Sequence, residues 1–191
     1  MTSAGNQVRG VGIIGAGPVS PDHGYALTRT AGLRLVGVAE PAEARCAPFA
    51  QLHPCQAYLD HRELLAESDF VVSCVPHTPE TVKLIRLAQF KQMKPTAYFI
   101  NISPGVVLAL ADLTGPLQQA QIAGAALDVF ETEPLPSDHP LWGLENVLVA
   151  PPTGRIGPHI AQPRLDLLKE NLPRLIAGEP LKNVVAKRRS C

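Results

Sequence analysis

The chain alternates continuous apolar runs with helix-like segments along its length. "VRGVGIIG" (8–15), "LRLVGVAE" (33–40), "DFVVSCVP" (69–76), "AYFINIS" (97–103), "GAALDVF" (124–130) and "NVLVAPP" (146–152) are apolar at successive positions rather than at every second one. A strand with one wet face alternates; a run like these belongs to a strand covered on both faces, which is the condition of a buried parallel sheet. "QAYLD" (56–60) reads as a further short edge strand. Between the runs lie helix starts. Asp60-His61-Arg62-Glu63 has the form of a capping box, and Thr78-Pro79-Glu80-Thr81 places a cap before a proline at the first helical position. A helix is also expected around Leu84–Met93. Leu165, Leu168, Leu172 and Leu175 recur at helical spacing in a last helix of about 161–177, and should face the sheet or a second chain. Strand–helix alternation of this kind predicts an α/β fold, a doubly wound parallel sheet, in one domain spanning 1–191.

With 191 residues the chain is long enough to bury an ordinary core without staples. Lys+Arg and Asp+Glu both total 17, so the charge balance suggests neither a nucleic acid nor a membrane as partner. The basic "AKRRSC" end reads as a solvated tail. Cys46, Cys55, Cys74 and Cys191 form no C-x-x-C pair, and His53 near Cys55 has no second ligand pair, so no metal is expected. Without a signal peptide or an apolar run near ~18 residues, a cytoplasmic protein with reduced thiols is expected.

The first strand runs into "GIIGAGPVS" (12–20), with Gly15-x-Gly17-x-x-Ser20. In a dinucleotide fingerprint the first glycine makes a tight turn, the second admits a pyrophosphate to the backbone, and the third lets helix and strand pack closely. Ser20 stands in the third place. Glu40 ends the next strand and can accept hydrogen bonds from an adenosine ribose, while repelling a 2′-phosphate, which favours NAD over NADP. The alternative is a plain turn with a solvated strand end. Pro18 and Pro21 both fall in the turn. Ser20-Pro21 reads as a cap with its first-position proline, a late helix start that would draw its amides away from a phosphate.

"YLDHRELLAESDFVVSCVPHTPETVKLI", "LAQFKQMKPTAYFINISPG", "QIAGAALDVFETEPLPSDHPLWGLENVLVAPP" and "ENLPRLIAGEPLKNVV" occur in the order found in D-isomer-specific 2-hydroxyacid dehydrogenases. Residues 56–186 resemble the NAD-binding domain of that family, a Rossmann-type fold. The first 50 residues, with "VGIIGAGPVS" and "LRLVGVAEP", are more similar to the start of glucose–fructose oxidoreductases, which also bind nicotinamide dinucleotides. The resemblance implies NAD as cofactor, with Gly15, Gly17, Pro18, Val19, Glu40, Val75, Pro76, Ile102 and Asp128 at its site. It further implies a substrate carboxylate held by Arg in "N-x-S-R-G", an acid–base His in "T-P-H", and a Glu that orients that His. By position, Glu133 is retained, but Pro104 in "NISPG" takes the Arg place and Pro152 in "VAPPT" the His place. The substrate domain that precedes the first strand in such families is expected to be missing.

Other groups near the strand ends are weaker candidates. His159 is the nearest substitute base, His77 follows the fourth strand, and Cys74 ends that strand as a small buried residue rather than a nucleophile. Thr114-Gly115-Pro116 should interrupt a helix, and Pro173 falls in the last one. Trp142 anchors either a homodimer interface or the core. Three functions fit: an NAD-dependent oxidoreductase with altered chemistry, a catalytically inactive nucleotide-binding sensor or interaction module, and a non-redox enzyme reusing the cleft.

Overall fold

The computed structural model describes residues 8–150 and 161–184. Its centre is a seven-stranded sheet in the order β3-β2-β1-β4-β5-β6-β7, with every printed pairing parallel. The strands are β1 (Arg9–Ile14), β2 (Leu33–Ala39), β3 (Gln56–Tyr58), β4 (Phe70–Ser73), β5 (Tyr98–Asn101), β6 (Gly124–Leu127) and β7 (Val147–Val149). The helices are α1 (Ser20–Thr28), α2 (Glu43–Leu52), α3 (His61–Leu65), α4 (Leu87–Phe90), α5 (Leu110–Gln118) and α6 (Ala161–Ile176). This is a Rossmann-like α/β sheet. The order reverses between β1 and β4, and at such a switch point the loops leave in opposite directions and open a crevice beyond the strand ends.

Ile13 and Ile14, neighbours in β1, show why the apolar runs are continuous. Successive side chains of a strand point to opposite faces, yet both are 2% exposed or less. Ile13 packs with Leu35, Val38, Cys46 and Phe49 on one face. Ile14 joins the larger cluster on the other, with Leu64, Val71, Phe99, Leu113 and Leu127. There Phe90 meets Phe99 edge-on, with ring centroids 5.4 Å apart.

Several local expectations give way. No helix follows Thr78: residues 79–83 form turns, because Thr81 Oγ1 bonds back to the Pro76 and Thr78 carbonyls and Lys83 adopts φ 51°. The helix expected around Leu84–Met93 shrinks to α4. Asp60 does cap α3, accepting the Arg62 N–H at 2.9 Å, but the Arg62 guanidinium, not Glu63, closes the motif on Asp60. Helix α5 runs through Gly115 and Pro116 without a break. Pro116 is buried on the same face as Leu110, Leu113 and Leu117, so packing there offsets the backbone hydrogen bond that proline lacks. In α6, which contains Pro173, the four leucines do not meet the sheet; they are between 44% and 63% exposed. Among the described residues, no helix is long and apolar enough to cross a membrane.

Asp60→Ala is expected to destabilise the fold by about 1 kcal/mol in urea unfolding at pH 7, the ordinary cost of losing a helix cap. Hydrogen bonds from Arg62 lower the Asp60 pKa to about 2. A carboxyl depressed on folding stabilises above its unfolded pKa, so the contribution is lost as pH falls from about 4 through about 2. The wild type and variant should therefore converge in stability at the acid end of that window.

Candidate dinucleotide site

Because the strands are parallel, the segments that follow them emerge along one edge of the sheet. Gly15 follows β1, Glu40 follows β2, Val75 and Pro76 follow β4, Ile102 follows β5 and Asp128 follows β6. The structure thus brings the candidate cofactor residues to the carboxyl edge, around the switch point. Pro152 and His159 lie outside the described residues.

The turn after β1 is shaped by contact with its neighbours. Gly15 donates its N–H to the Ala39 carbonyl at 2.8 Å and adopts φ +104°. A Cβ there would come within 2.9 Å of the Cys74 carbonyl and of Val75 Cγ1. No other residue takes that conformation at that distance without strain. At Gly17 a Cβ would meet nothing within 4 Å, so the turn is open there. Helix α1 begins at Ser20, with Val19 in the capping place and no side-chain cap. Ser20 is therefore not the cap: fully buried, it turns its hydroxyl back onto the Gly15 carbonyl at 2.7 Å, with the Cys74 sulfur 3.3 Å away. A serine fits the third glycine place because its one polar atom finds an acceptor inside the turn.

Amide donors are fewer here than in an all-glycine turn. Pro18 and Pro21 have no N–H, Ala16 donates to Glu40 Oε2 at 3.2 Å, and Ser20 donates to the Gly17 carbonyl. Gly17 and Val19 supply the rest. The turn keeps these two amides, for which no hydrogen bond is present among the described residues.

Glu40 is not a solvated strand end. It is 6% exposed, and its carboxylate accepts from Ala16 N–H, from Ala42 N–H at 3.1 Å and from Arg45 Nη2 at 2.5 Å. Burial opposes its ionisation, but the Arg45 guanidinium and the two amides outweigh burial and hold its pKa below the usual value. Arg45, at the start of α2, has a side chain 56% exposed.

A buried polar network ties β4 to β5 at the same edge. Ser73 and Ser103 share a hydroxyl–hydroxyl bond of 2.8 Å, Val75 N–H donates to Ser103 Oγ at 2.9 Å, and Ser103 N–H donates to Asn101 Oδ1 at 3.2 Å. Ile102 N–H meets the Ser73 carbonyl, and Asp128 N–H the Asn101 carbonyl. Asn101 is fully buried, and its Nδ2 has no partner among the described residues. Gly105 is fixed by a close approach, since a Cβ would lie 1.9 Å from the Phe130 carbonyl oxygen. Pro104, exposed between Ser103 and Gly105, carries no charge to the edge.

The remaining candidates have bland surroundings. Glu133 is an exposed loop residue that accepts Phe130 N–H at 3.1 Å. His77 and Pro76 are exposed. Burial pushes the Cys74 thiol pKa up, which suits an inert side chain. Trp142 is 54% exposed, its indole N–H bonded to the Pro136 carbonyl, so it is no core residue of this chain. Sequence reasoning did not reach Arg45, Ser73 or the hydroxyl of Ser103. Only Ser103 had a signal, its place in "NISPG".

Residues 2–161 match the family described as D-isomer specific 2-hydroxyacid dehydrogenase, NAD binding domain. The chain is 41% identical to a glyoxylate reductase of Thermofilum pendens over 126 residues, 66% of this chain and 37% of that protein. It is 35% identical to a glyoxylate reductase of Thermococcus litoralis over 180 residues, 93% of this chain and 52% of that one. Among solved structures, a D-isomer specific 2-hydroxyacid dehydrogenase from Xanthobacter autotrophicus in complex with NADPH and MES superposes with a TM-score of 0.79 at 35% identity. That match covers 96% of this chain and 56% of the other. The chain spans about half the length or less of these relatives.

Ser103→Ala is expected to cost about 1–3 kcal/mol in chemical unfolding, because it leaves the buried Val75 N–H unpaired. His77→Ala, at an exposed place on the same edge, should stay within about 0.5 kcal/mol of wild type. Equal effects of the two would show that the hydroxyl network does not hold β4 to β5.

Proposed function

This chain belongs to the D-isomer-specific 2-hydroxyacid dehydrogenase family through its NAD-binding domain, and we propose that its work is to hold the dinucleotide rather than to reduce a 2-keto acid unaided. The nicotinamide ring supplies or accepts a hydride when bound. Around it, the groups of this chain that bind are Gly15, Gly17, Pro18 and Val19 at the pyrophosphate, Glu40 at the adenosine ribose, and Val75, Pro76, Ile102 and Asp128 along the edge. The supporting observation is Pro104, exposed at the end of β5 where the family pattern has an arginine. A pyrrolidine ring neither anchors a carboxylate nor gives a proton, and Pro152 takes the histidine place in the same way.

The magnitudes favour binding without turnover. A positioned acid–base group contributes about 10²–10⁴-fold, and an electrostatic anchor about another 10²–10³-fold. Both losses fall on one transition state, so they need not multiply fully. We expect NADH oxidation by this chain with glyoxylate, pyruvate or hydroxypyruvate below about 1 s⁻¹, against ordinary enzyme turnover of about 1–10³ s⁻¹. Faster turnover at high enzyme concentration overturns the assignment of Pro104 and Pro152.

We also propose that two copies of the chain pair. Trp142 and, six residues on in the last strand, Leu148 are 54% and 66% exposed, apolar surface that a second copy would cover. Sedimentation should give a dimer at micromolar concentration, weakened by Trp142→Ala. A monomer alone at that concentration removes the dimer.

A further inference from the structure

We propose that Arg45 is a specificity-determining residue that lets the adenosine end of the site take a 2′-phosphate, so that the chain binds NADPH at least as tightly as NADH. The inference rests on the dinucleotide reading above and reverses one sequence expectation, that Glu40 alone would reject the phosphate. That expectation treats Glu40 as a free negative charge. In the fold it is the inner half of an ion pair, with Oε1 accepting both Arg45 Nη2 and Ala42 N–H and Oε2 accepting Ala16 N–H.

Three observations give the pair its direction. Glu40 is 6% exposed, fixed by amides on both sides, and cannot move toward a ligand without losing them. Arg45 has a side chain 56% exposed, and Glu40 is the one partner of its guanidinium among the described residues. The Ala16 amide that Glu40 holds belongs to the glycine turn itself, so the pair stands beside the pyrophosphate turn and not at a remote surface. A guanidinium has five N–H donors in a planar fork that suits phosphate oxygens. One is spent on Glu40, and the others have no hydrogen-bond partner among the described residues.

The two dinucleotides then call on different members of the pair. A ribose hydroxyl needs an acceptor, and Oε2 has capacity beyond Ala16 N–H. A 2′-phosphate needs a cation, and Arg45 offers charge-assisted bonds while cancelling the repulsion from Glu40. A residue that merely pinned Glu40 would affect both ligands alike.

The test is a titration of wild type, Arg45→Ala, Arg45→Lys and Glu40→Gln with NADH and NADPH, followed by nicotinamide fluorescence, with 2′,5′-ADP and 5′-AMP as competitors. In wild type the NADPH dissociation constant should not exceed that of NADH. Arg45→Ala should raise the NADPH constant about tenfold or more and the NADH constant less than about threefold, with 2′,5′-ADP losing its advantage over 5′-AMP. Arg45→Lys should recover part of the NADPH affinity, and Glu40→Gln should favour NADPH further. Equal weakening of both dinucleotides by Arg45→Ala, or none, overturns the role of Arg45 while leaving the dinucleotide reading in place. A wild type that binds NADH well and NADPH poorly also overturns it. Binding of neither by wild type refutes the dinucleotide reading and this inference together.

Discussion

The approach of β1 to its two neighbours at the carboxyl edge is the constraint on which the rest of this structure depends. The Gly15 amide bonds to the end of β2, and its α-carbon is pressed toward the Cys74 carbonyl at the end of β4. The turn must therefore leave the sheet at φ +104°, and α1 must start where that turn points. Ser20 locks the exit by returning its hydroxyl to the Gly15 carbonyl. A side chain at Gly15 would push β2 and β4 apart and would undo the crevice with them.

Carboxylates from neighbouring segments clamp β1 at both ends. Asp69 accepts the Gly10 N–H at 2.7 Å near the amino end and is paired with Lys94 at 3.0 Å. Glu40 accepts the Ala16 N–H just past the carboxyl end and is paired with Arg45. The Gly10 amide first, then Lys94, keeps the Asp69 pKa low against the cost of burial. In each case a backbone donor that the strand ladder leaves over is satisfied by a charge, and the charge is compensated by a cation nearer to solvent. At the amino end this is architecture. At the carboxyl end the same device stands beside the glycine turn, and the compensating cation is half exposed.

Strand positions were readable because burial on two faces leaves no freedom in residue type, and the six longer apolar runs each contain an observed strand. Helix starts were less readable. The Thr78-Pro79-Glu80-Thr81 motif has good capping chemistry, but the Thr81 hydroxyl satisfies the preceding carbonyls and makes a turn instead. Pro116 has poor helix chemistry, yet its ring is buried among leucines and the helix passes through it. Local propensity is worth about 1–3 kcal/mol at such positions, within reach of what burying one or two apolar side chains supplies.

The sequence by itself determined the parallel α/β sheet and the glycine turn after the first strand. Those follow from residue type and order alone: continuous apolar runs and a glycine pair at a strand end. Only the tertiary structure decided that Glu40 is buried and paired, that Ser20 serves the turn rather than the helix cap, and that Ser73 and Ser103 join two strands. Each of these is a hydrogen bond between segments whose separation and side-chain direction no periodicity fixes. Glu40 and Arg45 are five positions apart across a strand end and a helix start, and a carboxylate reads as free or neutralised only when both backbone directions are known.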